Sequence, residues 1–164
     1  MSRECCNRVE IHGGKEEIER FRMFVKGYRR FFDFEKILPT PSEEELDKEL
    51  IVYPRDLRRD KWRKINWGTD SHAFKGIILI DEAYCVAYHF ITSATPASGI
   101  YLELRKIFPN LNISWRYYHH DSCGYSHGCD DPPIKDGYLE NDFSEVQPIA
   151  QNHLGCLETD DIPF

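Results

Sequence analysis

Between residues 75 and 119, two strand-like segments, a proline-led amphipathic helix and a third strand follow one another with almost no slack. Links this short mean that the strands share a sheet and the helix lies back across it. Over 83–91, bulky Tyr84, Val86, Tyr88 and Phe90 alternate with Ala83, Cys85, Ala87, His89 and Ile91, so a pleat puts large side chains on one face. The preceding segment, 75–81, is apolar and β-branched enough for a strand buried on both faces, or on one face and at an edge, with Asp81-Glu82 as a hairpin turn. Thr95 or Ser98 is placed to cap the next helix, Pro96 suits its first turn, and Ile100, Leu104, Ile107, Phe108 and Leu111 form its apolar stripe. In the last strand, Ile113, Trp115, Tyr117 and His119 fall on one side and Ser114, Arg116, Tyr118 and His120 on the other.

Upstream, Val9 and Ile11 alternate with polar neighbours in a short strand over 8–12, and Gly13-Gly14 turns the chain into a helix over 16–30. Ile18, Phe21, Val25 and Tyr28 make its stripe, while early Glu16 and Glu17 and late Arg29 and Arg30 suit the helix dipole. Residues 31–74 form an insertion. Phe31, Phe32 and Phe34 lead into Leu38-Pro39-Thr40-Pro41, and Ser42 with Glu45 reads as a capping box for a short helix carrying Leu46 and Leu50. From Pro54 to Phe74, with Trp62 and Trp67, the expectation is a loop anchored by aromatic rings.

The order strand, helix, insertion, strand, strand, helix, strand predicts an α+β ferredoxin-like sandwich: a four-stranded antiparallel sheet with two helices on one face and a helical or loop insertion. A chain of 164 residues suits a single domain over 1–164, with the insertion at 31–74 and a Cys/His-rich loop at 119–133. Tyr138, Leu139 and Phe143 could add an edge strand or pack as a loop.

The pieces Asn66-Trp67-Gly68-Thr69, Phe90-Ile91-Thr92-Ser93-Ala94-Thr95-Pro96 and Phe108-Pro109-Asn110-Leu111 carry a likeness, joined by Cys6-Asn7, Leu38-Pro39-Thr40-Pro41 and Tyr117-Tyr118. In them the chain resembles the YubB ferredoxin-like domain family of largely uncharacterised phage and plasmid proteins, up to about residue 127. The resemblance implies the same fold and a mobile-element setting; it implies no activity.

A net charge of −7 argues against a protein that grips nucleic acid chiefly through phosphates, although Arg55, Arg58, Arg59, Lys61, Arg63 and Lys64 form a basic run. The amino end lacks the apolar core of a secretory signal and no segment approaches the ~20 apolar residues of a membrane span, so a cytoplasmic protein without membrane partners is expected. Six cysteines in that setting point to thiol or metal roles rather than lasting disulfides. The densest ligand-like group is His119, His120, Cys123, His127, Cys129, Asp130 and Asp131. Zinc is the cofactor it would take, through Cys123, His127 and Cys129 with His119 or another Cys or His as the fourth ligand. No other cofactor is favoured: there is neither a Walker-type loop nor a Gly-x-Gly-x-x-Gly turn. Cys85, between alanines, reads as a small thiol filling core space.

Trp62 and Trp67 could anchor a protein partner or stack single-stranded bases, or could instead cover an apolar edge; Arg116 and Tyr118 would add to a binding face. The leading expectation is a non-catalytic interaction or regulatory module with a protein partner. A zinc protein or metal-dependent hydrolase at 119–131, and a single-stranded nucleic-acid binder, are the alternatives.

Overall fold

The alternation around Val9 and Ile11 extends towards the amino end. In the computed structural model, which describes residues 4–120 and 137–138, the first strand, β1, spans Glu4–His12. Gly14 opens helix α1, Lys15–Val25, whose stripe Ile18, Phe21 and Val25 is fully buried. The helix stops a turn earlier than its periodicity predicts. Gly27 donates its N–H to Arg30 O at 2.8 Å and Asp33 donates to Val25 O at 2.7 Å, so the chain reverses and Tyr28 is 97% exposed rather than part of the stripe.

The insertion holds three helices: α2 (Phe34–Ile37), α3 (Glu43–Glu49) and α4 (Arg58–Asn66), the last entered through a 3-10 turn at Arg55–Leu57. The capping box on α3 is present as expected: Ser42 N donates to Glu45 Oε2 at 2.9 Å and Glu45 N donates to Ser42 Oγ at 3.4 Å. The expected loop over 55–66 is helical instead. Its apolar content is too low to signal a buried stripe, and the helix is held by one buried ring, Trp62, and by arginine–carboxylate pairs.

Strands β2 (Phe74–Asp81) and β3 (Cys85–Ser93) form the hairpin, followed by α5 (Ser98–Ile107) and β4 (Asn112–His120). The sheet order is β2-β3-β1-β4-β5, all neighbours antiparallel, where β5 is the two-residue strand Gly137–Tyr138 beside β4. The first four strands, with α1 linking β1 towards β2 and α5 linking β3 to β4, are compatible with the expected ferredoxin-like arrangement. Ile18, Phe21 and Val25 of α1 and Ile100, Tyr101 and Leu104 of α5 share one core with Val9, Ile11, Val86, Tyr88, Phe90, Ile113 and Trp115 from one sheet face.

Neither Thr95 nor Ser98 caps α5; its N-cap is Ala97, with no side-chain bond. The insertion does this work through its backbone, because Gly99 N donates to Trp67 O at 2.9 Å. A Cβ on Gly99 would collide with Asn66 O, so the close approach requires glycine. Around it, Thr95 Oγ1 donates to Gly68 O at 2.6 Å and Thr69 Oγ1 donates to Ser93 O at 3.0 Å. The segments 66–69 and 93–99 are thus a strap and its anchorage.

Candidate functional site

In a strand, residues two apart share a face, so Cys6, Arg8, Glu10 and His12 line the side of β1 away from the helices. β1 is central, and its register sets His89 and Cys85 of β3 on one flank of this row and Arg116 and Tyr118 of β4 on the other. Glu10 is the hub. Its Oε1 lies 2.6 Å from His12 Nε2, while its Oε2 is 3.6 Å from Arg8 Nη2 and 3.9 Å from Arg116 Nη2. Arg8, Glu10 and His12 are all buried. Burial, then the facing Arg116 guanidinium, hold Arg8 below its ordinary pKa, with Glu10 opposing both. Burial and then Arg8 lower His89 in the same way, and burial pushes the Cys6 thiol up against the effect of its hydrogen bond with Tyr118.

Glu10, His12 and Cys85 place their ligand-type atoms within 4.8 Å of one another. Two features work against reading them as a zinc centre. Tetrahedral ligands at ordinary zinc distances lie about 3.3 Å apart, whereas Glu10 Oε1 and His12 Nε2 sit at hydrogen-bond distance, 2.6 Å. Cys85 is disulfide-bonded, so it presents no thiolate and is not the simple core thiol expected. The arrangement is chemically a buried ion-pair and hydrogen-bond ladder.

The predicted zinc ligands Cys123, His127 and Cys129, and the side chain of His120, lie outside the described residues. His119 falls at the end of β4 with Nε2 at 2.8 Å from Ala94 O.

Trp62 and Trp67 are both buried. Trp67 Nε1 donates to Leu38 O at 2.8 Å, and the ring meets Phe34 at 5.5 Å and the Arg63 guanidinium at 4.8 Å. They cover the core, because an insertion this long needs apolar anchorage. The neighbouring basic run is largely spent on carboxylates. Arg55 and Arg58 pair with Asp47 at 3.2 and 2.6 Å, Arg59 with Glu43 at 3.2 Å and Arg63 with Glu35 at 2.8 Å. Burial raises the Glu35 carboxyl, but bonds from Thr40 and Arg63 outweigh it and hold the group below its usual range. The cleft of about 830 Å³ between α3 and α4 is lined by these arginines together with Glu43, Asp47, Asp56 and Asp60, which leaves it short of uncommitted cations for phosphates.

Arg116 and Tyr118 do share a sheet face as the alternation predicts, but Tyr118 is buried against Cys6 and Ile91, and the Arg116 side chain is only 18% exposed. The four residues expected to bind a partner therefore form no common exposed surface.

The surface that does stand open is the outer edge of β2. None of its eight residues is buried, and Ile77 and Ile78 are 54% and 48% exposed. Among the described residues no strand pairs with this edge. Gly76 lets Phe31 lie against the strand, since a Cβ there would overlap the ring. Of the two expectations for 75–81, burial on both faces or on one face at an edge, the edge position is the one found, although no residue of the strand is buried. The ladder on β1 was missed because polar residues at alternate positions look like a solvated face.

Among the described residues no helix is long and apolar enough to cross a membrane. Comparison with protein-family models, curated proteins and solved structures finds no match to the chain.

Proposed function

We propose that this chain is a non-catalytic protein-interaction module whose docking surface is the open edge of β2. The observation that carries the reading is an exposed apolar strand whose outer backbone edge pairs with no strand among the described residues. Such an edge offers a row of hydrogen-bond donors and acceptors to an incoming strand, with apolar side chains on both faces to sheathe the new ladder. Proteins usually blunt long apolar edges, and an edge left open calls for a partner. Lys75 and Asp81 at the two ends supply polar selectivity.

The reading keeps the interaction role expected from the sequence and moves its surface from the insertion to the sheet. A mobile-element setting, as the YubB resemblance implies, and a cytoplasmic location belong to it. The test is site-specific photo-cross-linking. A photoreactive side chain at Ile77 should give a protein adduct in extract of the producing cells, whereas one at Leu102, exposed on α5, should not. Equal labelling at the two positions, or none at Ile77, would remove the edge from the proposal.

A further inference from the structure

A few residues after the strap, the His72 side chain is packed into the insertion and only 19% exposed. We propose that His72 is a proton-operated latch: charging its imidazole frees the strap at 66–69 from its anchorage at 93–99 while the sheet stays folded. The latch stands independently of the docking edge.

The ring stacks on Phe34 of α2, with centres 6.4 Å apart, and meets Trp67 edge-on at 5.0 Å. Both of these rings are fully buried. Nε2 lies 3.9 Å from Glu35 Oε1, and the buried Nδ1 has no hydrogen-bond partner among the described residues. A neutral imidazole tolerates this, because its bare nitrogen is only an acceptor. Protonation makes both nitrogens donors, and Nδ1–H becomes a buried donor with nothing to receive it. The surrounding charges do not make good that loss. The Glu35 carboxylate already accepts from Thr40 N and Thr40 Oγ1, both at 2.7 Å, and from Arg63 Nη2 at 2.8 Å. Arg63 of α4 also lies 4.8 Å over the Trp67 ring, so an imidazolium beside that ring meets a cation already in place. On the link between α1 and α2, Arg30 opposes the proton and Asp33 favours it, and these two face each other at 4.0 Å. Burial first, then Arg30 and Arg63, hold His72 below its ordinary value, with Glu35 and Asp33 acting against them.

What His72 adjoins is held by few bonds. The strap meets the start of α5 and the end of β3 through Gly99 N to Trp67 O, Thr95 Oγ1 to Gly68 O and Thr69 Oγ1 to Ser93 O. Ser93 N also donates to Ser71 Oγ at 2.7 Å, one residue before the imidazole. Displacing the ring therefore pulls on Ser71 through the chain and on Trp67 through packing. Once freed, the strap leaves the first turn of α5 without its backbone acceptor and bares Trp67 and Phe34. The sign follows from where the proton binds better. In the open form the imidazole returns to water and its ordinary value of about 6.5, whereas the closed form takes the proton only at lower pH. The closed latch is thus fully favoured above that value, and the open fraction grows by up to about tenfold per pH unit until pH reaches the closed form's own pKa.

Hydrogen–deuterium exchange on the full chain, read by mass spectrometry and corrected for the intrinsic rate at each pH, tests this. From neutrality to about pH 5, protection of peptides over 66–72 and 98–101 should fall about tenfold, while that of β1 and β3 holds. His72→Gln and His72→Phe, neither of which can take the proton, should each remove the pH dependence of the strap. His89→Gln should leave it in place, since His89 lies on β3, away from the insertion. A measurement on the native chain needs no variant to fold: the imidazole proton resonances of His72 should titrate below the ordinary histidine value and in step with the loss of protection. Strap protection that does not change with pH, a loss shared equally by β1 and β3, or a His72 midpoint at or above the ordinary value would each overturn the latch. So would an undiminished pH dependence in a folded His72→Gln chain, which would place the titrating group elsewhere.

Discussion

β1 and β2 belong to one sheet yet lie in opposite environments. β1 carries Asn7, Arg8, Glu10 and His12, and all its residues but Glu4 are buried; β2 carries Phe74, Ile77, Ile78, Leu79 and Ile80, and none of its residues is buried. The more apolar strand is the outer one. Burial here follows place in the sheet rather than side-chain hydropathy, and each strand compensates by a different device. β1 gathers its buried charges around Glu10. β2 leaves apolar surface and a backbone edge that no strand among the described residues covers.

The largest expected effect that would break this contrast is at its hub. Glu10→Ala leaves the Arg8 and Arg116 guanidinium groups facing each other without their shared carboxylate, and His12 without its partner. Removing one member of a buried ion pair costs about 3–5 kcal/mol, so the urea midpoint should fall sharply. A loss below about 1 kcal/mol, the range of surface ion pairs, would show that the ladder does not hold β1 in place.

A smaller effect comes from pH. Folding lowers the pKa of His89, through burial and then Arg8, and of His72, through burial and then Arg30 and Arg63. The unfolded chain takes up these protons near the ordinary histidine value of about 6.5, and the folded chain only at lower pH. The stability they contribute is therefore complete above that value and is lost as pH falls through the folded pKa values. Thermal midpoints should drop on acidification from neutrality, and His89→Gln should make the slope shallower. An unchanged slope would place the titration elsewhere.

The smallest effect is the sharpest contrast. Ile77→Thr on β2 removes an exposed apolar group and should change the stability of the isolated chain by no more than about 0.5 kcal/mol, measured by urea denaturation at low protein concentration. A cost of several times that would mean Ile77 belongs to the core.

The α+β arrangement was legible because α1 and α5 announce themselves by three- and four-residue spacing, and β3 by strict alternation of large and small residues. Both depend on local periodicity. Helix α4 was not legible, since Trp62 is its one buried side chain and a single residue has no period. The candidate site was hidden for a related reason. Arg8, Glu10 and His12 share a face by their spacing, but their burial depends on β3 and β4 arriving on both sides, which is non-local information. Trp62 and Trp67 looked like recognition residues because aromatic rings in a polar insertion serve either purpose, and only the Trp67 bond to Leu38 and the strap onto α5 decide between them.

The central place of β1 also has a consequence for biosynthesis. Glu4 meets Ser93 on one side and His120 on the other, so β1, made before both its neighbours, must wait for them to be seated. At about 5–20 residues per second, β1 waits on the order of ten seconds for either neighbour, while the β2–β3 hairpin can close as soon as it emerges. During that interval β1 has both flanks vacant, and a nascent chain further along on a neighbouring ribosome could fill one with its own β3. Crowded polysomes are thus where this topology is most exposed to exchange between chains.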